Sequence, residues 1–188
     1  MNLVRTPDAV DDGVVCIRRP HMADAPALLA AVAASRPELE AWMPWCGPDY
    51  GLEDAQAWLL LATGNWPEGP LCPFVIESCA DRELLGACGV DVVDALDHAH
   101  KLGYWVRSDR TGAGIARRAG RLLAAYAFEH LDAQRIDILV ATDNVRSQAV
   151  ARALGAVEEG TLRSRFLLQG RRHDALIFGL LPGDLAAT

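Results

Sequence analysis

Apolar and polar residues alternate along VVCIRR (14–19), which predicts a strand, and the period lengthens to that of a helix over MADAPALLAAVAAS (22–35). The next stretch, RPELEAWMPWCGPDYG (36–51), is rich in Pro and Trp and reads as a loop suited to a lid. A helical period returns in LEDAQAWLLLATG (52–64) and stops at Gly64. CPFVIES (72–78) and LLGACGVDVV (84–93) are strand-like and joined by CADRE, which predicts a hairpin, and HAHKLGYWV (98–106) is the next strand. From Gly112 to Leu131 the apolar residues Ile115, Ala119, Leu122, Leu123 and Tyr126 fall at helical spacing, while Arg117, Arg118 and Arg121 project elsewhere. RIDILVA (135–141) alternates as a half-buried strand, and Asn144 is placed to cap a helix that runs to Leu154 and ends at Gly155. GTLRSRFLLQGRRHDALIFGLL (160–181) reads as two strands about a turn at Gln169 and Gly170. Hairpin-like strands followed by strand–helix–strand–helix–strand–strand predict an α+β fold with one mixed sheet.

Composition narrows the class without naming a function. A chain of 188 residues fits one domain and can bury roughly 70% of the surface exposed by its unfolded form. A net charge of −7 argues against a nucleic-acid partner and against adhesion to anionic membranes. It suits an amine-bearing substrate, and it suits plain solubility equally well. The five cysteines, Cys16, Cys46, Cys72, Cys79 and Cys88, are odd in number and form no C-x-x-C pair. Neither a zinc framework nor a disulfide lattice is expected, and a reduced, cytoplasmic setting is. MNLVRTPDAVDDG at the start has no apolar core of the secretory kind, and no apolar run approaches the roughly 20 residues that cross a bilayer.

One loop carries candidate chemistry. Gly112 and Gly114 sit between an apolar strand and a helix start, where glycine lets a phosphate approach the free N–H groups. The dinucleotide pattern G-x-G-x-x-G fails because Arg117 stands at its third glycine, and the P-loop pattern fails for want of Gly-Lys-Ser/Thr. The loop is a phosphate-site candidate of a third kind.

Three segments in order, LGYWVRSDRTGAGIARRAGRLLAAYAF, RIDILVATDNVRSQAVARALGAVEEGTLR and QGRRHDALIFGLL, resemble the GNAT superfamily of N-acetyltransferases. More narrowly they are similar to its RimJ/RimL-like ribosomal-protein branch, whose Trp-Pro-Trp loop RPELEAWMPW resembles. The resemblance covers about Val14 to Leu181, and it implies one N-acetyltransferase domain over 1–188 with a core at about 14–181 and short tails. It implies a mixed, mostly antiparallel sheet of six to seven strands flanked by about four helices, splayed between the strands ending near Val106 and starting near Arg135. Acetyl-CoA is then the acyl donor, with no metal. Its pyrophosphate is expected on the loop from Thr111 through Gly112, Ala113, Gly114, Ile115 and Ala116 to Arg117, although Thr111 departs from the family's usual Gln or Arg.

The same resemblance suggests roles around the splay. A backbone N–H near Trp105 or Val106 is placed to polarise the thioester carbonyl. Asn144 would bond the pantetheine arm, and Ser147 of Asn-x-x-Ser would give a proton to the leaving thiolate; as bare sequence both are also an ordinary helix start. His100 occupies the position of a glutamate base used by some members, and it is expected to share a strand face with His98. His173 and Asp174 read as pocket or structural support. Trp42, Trp45 and Tyr104 are expected to wall the acceptor pocket, with packing and a homodimer contact as other readings of the tryptophans. The acceptor is a primary amine, a peptide α-amine or a small molecule. A larger acyl donor such as succinyl-CoA, served by Arg107 or Arg163, and a non-catalytic acyl-CoA-binding module are the other readings.

Overall fold

The structure, a computed structural model, describes residues 7–64, 66–67 and 69–185, so both expected tails lie partly outside it. The chain opens with β1 (Ala9–Asp11) and β2 (Val15–Arg18), then α1 (Ala25–Ala33), α2 (Arg36–Trp42) and α3 (Leu52–Gly64). Three strands follow: β3 (Leu71–Ser78), β4 (Leu84–Asp94) and β5 (Ala99–Val106). The remainder is α4 (Ile115–His130), β6 (Arg135–Ala141), α5 (Val145–Ala153), β7 (Val157–Leu168) and β8 (Arg171–Leu180). All eight strands form one sheet in the order β1-β2-β3-β4-β5-β6-β8-β7. Every pairing is antiparallel except β5 with β6.

This is the expected α+β fold with one more strand and one more helix than the sequence suggested. The added strand, β1, is three residues long, too short for an alternation to register. The added helix, α2, lies inside the stretch read as a loop. Its Pro37 stands in the first turn, where a missing N–H costs nothing, with Glu38 beside it. Only Leu39 of α2 is buried, so no apolar period betrays the helix.

The alternation of each strand divides the core between the two faces of the sheet. Phe74 and Ile76 of β3 face α4, whose Ala119, Leu123, Tyr126 and Ala127 are essentially sealed from solvent. Val75, between them, points to the opposite face and packs with Leu28 of α1 and Leu59 of α3. Phe74 and Tyr126 meet edge to face with ring centroids 4.9 Å apart. Each such buried side chain contributes roughly 1.5–3 kcal/mol. Gly120 of α4 lies against α5; a Cβ there would stand 3.1 Å from Leu154 Cδ1.

The sheet is not continuous. β5 and β6 pair only at Ala99↔Arg135, His100↔Ile136 and Lys101↔Asp137, and then separate. On its other edge β5 stays paired with β4 as far as Gly86↔Val106. Gly86 has φ of +155°, and a Cβ there would lie 2.1 Å from the Trp105 carbonyl oxygen. A side chain at this point pushes the free end of β5 away from β4. Gly86→Ala is therefore expected to cost roughly 2 kcal/mol or more and to lower Tm by about 4–8 °C. Gly103→Ala, where the added Cβ meets nothing within 4 Å, should stay within about 2 °C of wild type. Thermal melts of the two variants check this, and equal melting points would remove Gly86 from the design of the strand.

Candidate active site

Where β5 and β6 part, a cavity of about 800 Å³ opens. Leu102, Gly103, Tyr104 and Trp105 line it from β5, and Ile138, Leu139, Val140 and Ala141 from β6. The main chain of β5 is one of its walls. Arg107 N–H donates to Leu85 O at 2.8 Å, on the β4 side, and His98 O accepts from Gln134 N at 3.0 Å, on the β6 side. Main-chain groups alternate sides along a strand. The Trp105 amide therefore turns to β4, and the Val106 and Tyr104 amides turn into the gap. Of the two amides named from the sequence, Val106 is the one directed there.

At the far end of β5 the loop climbs to α4. Gly112 and Gly114 have φ of +84° and +74°, and a Cβ on either would meet nothing within 4 Å. The loop thus needs glycine for its left-handed turns, and the space above it is open. The amides of Ile115, Ala116 and Arg117 have no intrahelical acceptor at the start of a 16-residue helix, which adds its positive dipole end. An anionic phosphate fits this place. Thr111 Oγ1 donates to Ser108 O at 2.9 Å, so its side chain closes its own turn. Arg117 is exposed, whereas Arg118 is held by Asp12 at 2.7 Å.

The loop is braced from two sides. Arg107 and Arg110 both bind Glu83, at 2.9 and 3.0 Å, and Arg107 also binds Asp109 at 2.8 Å. Ser35, fully buried between α1 and α2, donates to Ala31 O at 2.8 Å and accepts from Ser108 N at 2.9 Å. One hydroxyl ties the Trp-rich segment to the glycine loop.

On the opposite wall Asn144 caps α5, its Oδ1 accepting from Ser147 N at 3.1 Å. The Asn144 Nδ2 group is left as a donor, and both residues line the cavity. Tyr104 reaches across the gap: its hydroxyl is 3.0 Å from Ser147 Oγ and donates to Ser147 O at 3.1 Å. Burial pushes the Tyr104 phenol up to about 12, against the pull of Ser147. Tyr104, named from the sequence as a pocket wall, is thus also the partner of Ser147. Gln148, buried behind it, donates to the carbonyl of Thr142 at 2.8 Å and fixes the β6–α5 turn.

His100 lies elsewhere. It falls in the paired part of β5, opposite Ile136, and is 5% exposed on the α4 side of the sheet. It lines a separate cavity of about 190 Å³ with Cys72, Val90, Val92 and Leu131, and its Nδ1 lies 3.3 Å from His98 O. His98, expected on the same strand face, belongs not to the strand but to the turn before it. His98 has φ of +51°, which breaks the alternation, and its ring sits 3.1 Å from Asp132. The structure does not bring His100 to Ser147. Likewise Arg107 is committed to carboxylates, and Arg163 is exposed and does not line the main cavity. His173 and Asp174 act apart. His173 approaches Asp143 at 3.8 Å, and the Asp174 carboxylate accepts from Ser164 N at 2.7 Å.

The outer part of the cavity is aromatic. Trp42, Trp45, Tyr50, Trp58 and Phe166 join Trp105 there. Trp45 stands with its ring centroid 5.6 Å from Tyr50 and 6.0 Å from Trp105. Arg36 holds this segment by donating to the carbonyls of Gly47 and Pro48 at 2.7 Å and of Tyr50 at 3.1 Å. Asp54, Arg165 and the Asp91–Lys101 pair, 2.6 Å apart, complete the lining. Trp42 and Trp45 belong to the RPELEAWMPW motif, but no motif marks Tyr50, Asp54, Trp58, Arg165 or Phe166. Only the packing of α2, α3, β4, β5 and β7 brings the chamber together. Among the described residues no group of His, Cys, Asp and Glu could hold a metal.

The chain matches the family model for the acetyltransferase (GNAT) domain over residues 15–157 and belongs to that family. Over 104 residues it is 35% identical to YdaF of Bacillus subtilis, provisionally named a ribosomal N-acetyltransferase, covering 55% of this chain and 57% of the relative. Spermidine N(1)-acetyltransferase of Escherichia coli is 28% identical over 55% of this chain and 54% of its own. The chain thus spans little more than half the length of these curated relatives. Among solved structures, RimJ of Mycobacterium smegmatis in complex with CoA-disulfide superposes with a TM-score of 0.80 at 30% identity, covering 94% of this chain and 86% of that one.

The tyrosines yield a pH prediction. Burial raises all three, Tyr50 and Tyr104 to about 12 and Tyr126 further. The fold therefore favours the neutral phenol, whose unfolded pKa is about 10. This contribution to stability is complete below about pH 10 and is lost as pH rises towards about 12. Ultraviolet titration should find no tyrosinate in the native protein at pH 10, while Tm falls above it. Half-ionised tyrosines in the folded protein at pH 10 would contradict the burial described.

Proposed function

We propose that the protein is an acetyl-CoA-dependent N-acetyltransferase whose acceptor is a primary amine, attacked directly in a ternary complex. The observation that carries the reading is the gap between β5 and β6. The cavity there joins Asn144 and the Tyr104–Ser147 pair to the aromatic chamber, and β5 runs on from it to the glycine loop. RimJ, at 30% identity, was solved with a coenzyme A disulfide, and the curated relatives are N-acetyltransferases by name.

Acetyl-CoA supplies the acetyl thioester. The amides of the 112–117 loop take the pyrophosphate, and Asn144 Nδ2 offers a hydrogen bond to the amide-rich arm. The Val106 N–H donates to the thioester carbonyl oxygen and stabilises the charge that develops there. Ser147, hydrogen-bonded to a Tyr104 that stays protonated, holds a proton for the departing sulfur. A thiol of pKa ~8.5 needs only modest help. The aromatic walls exclude water from the acceptor. At pH 7 an α-amine of pKa ~7.7–8.0 is already partly neutral, whereas a lysine amine near ~10.4 is not. With His100 in another cavity, an α-amine is the acceptor that least needs a base.

Two variants test this reading. Acetyl-CoA should raise the Tm of the wild type, because a ligand bound only by the folded state stabilises it. Gly114→Asp, which adds a negative charge in a left-handed turn, should abolish the shift; an undiminished shift would take the loop out of the donor site. Ser147→Ala should lower kcat by roughly 10- to 100-fold with little change in acetyl-CoA affinity, the signature of an interaction made as the thiolate leaves. Wild-type turnover at saturating substrates would leave Ser147 as a helix-start residue.

A further inference from the structure

The β7–β8 hairpin differs in charge from the rest of the molecule. In a chain of net charge −7, residues 160–173 hold four arginines, Arg163, Arg165, Arg171 and Arg172, and no carboxylate. All four are exposed. Seven of the other arginines are held by acids: Arg18 by Asp24 and Glu77, Arg82 by Glu77, Arg107 and Arg110 by Glu83, Arg118 by Asp12, Arg135 by Asp137 and Glu159, Arg152 by Glu158. Among the described residues none of the hairpin arginines has a carboxylate within ion-pair distance. Of the nearby acids, Asp174 accepts from the Ser164 amide and Asp143 lies 3.8 Å from His173.

The position of the hairpin gives this charge a use. Arg165, Phe166 and Leu168 line the main cavity. At the hairpin tip Gln169 Nε2 donates to Glu40 O of α2 at 3.3 Å, so the hairpin spans the mouth of the chamber. Arg171 pairs in register with Leu168, and Arg172 with Leu167. At about 3.3 Å per residue the arginines extend along roughly 10–17 Å of strand, the length of three to five residues of extended peptide. A single small carboxylate would engage one of them. Successive strand residues turn to opposite faces, so Arg171 stands on the Leu168 side that lines the cavity and Arg172 on the other. A chain of several carboxylates along the cavity side would engage Arg165 and Arg171 together.

We propose that this hairpin reads carboxylates on the acceptor, and that the acceptor is an acidic peptide segment presenting its free α-amine to the cavity. The inference rests on the N-acetyltransferase reading above and narrows its acceptor. Exposed charge pairs at a rim contribute modestly to affinity and more to capture and orientation, and salt screens them. A nucleic acid is the lesser fit, because the rest of the surface is acidic and the chamber behind the hairpin serves an amine.

The test compares two peptides with free N-termini and the same first two residues, followed by either glutamates or glutamines. At low ionic strength the acidic peptide should show a kcat/KM about tenfold higher, carried mainly by KM. The advantage should vanish at 1 M salt, where the screening length is about 3 Å. The triple variant Arg163→Gln, Arg171→Gln, Arg172→Gln, with its fold checked by Tm, should lower the ratio of the two peptides several-fold, Arg165 remaining in the cavity lining. Equal rates on both peptides with the wild type would overturn the proposal. So would failure to acetylate either peptide by a protein whose Tm acetyl-CoA still raises, a result that leaves the donor reading standing. Absence of any acetyl-CoA shift would instead strike the proposed function. Tighter binding of an RNA oligonucleotide than of the acidic peptide, lost in the triple variant, would assign the hairpin to nucleic acid and overturn the proposal.

Discussion

The architecture depends on an interrupted ladder of hydrogen bonds. A central strand in a sheet normally has both edges paired, because an unpaired main-chain group removed from water costs about as much as a lost hydrogen bond. β5 and β6 exchange bonds as far as Lys101↔Asp137 and then diverge, leaving one edge of β5 open beside a cavity. The neighbouring pairs supply what that edge lacks. β4 holds β5 through Gly86↔Val106, and β8 holds β6 from Ile136↔Leu180 to Ala141↔Ala175. Two well-anchored half-sheets can then stand apart without collapsing onto each other. The missing ladder bonds become donors and acceptors for a ligand.

The remaining features serve that opening. The Ser35 hydroxyl bridges Ala31 and Ser108, coupling the aromatic segment to the glycine loop. The Tyr104 hydroxyl spans the gap to Ser147 and sets its width where the chemistry is placed. Neither contact is large in energy. Each connects elements that approach the site from opposite sides.

Much of this was legible in the sequence, and the divisions have physical causes. Strands of the core announced themselves because Phe74, Val75 and Ile76 must alternate between two packed faces. α4 announced itself because Ile115, Ala119, Leu123 and Tyr126 bury one stripe. Gly112 and Gly114 were readable because few other residues tolerate their backbone angles. What stayed hidden was short or non-local. β1 has three residues, and α2 buries only Leu39. The chamber of Tyr50, Asp54, Trp58 and Phe166 exists only through the packing of α3 and β7 around it. His100 was misplaced by a linear argument. Its position on β5 suits a base in the aligned motif, but the strand is still paired there and its side chain points to the wrong cavity.

Gly120 has a consequence for how the molecule measures its ligand. It lets α4 lie against Leu154 at the end of α5, at a separation that a single added carbon would crowd. One of these helices begins at the glycine loop, and the other carries Ser147 in its first turn. The contact between the two helices therefore works as the pivot of a caliper, and its jaws are the glycine loop and the first turn of α5. On the function proposed above, a ligand that touches both ends is gauged by its length between them. Any relative that places a larger side chain at this pivot must recalibrate the span.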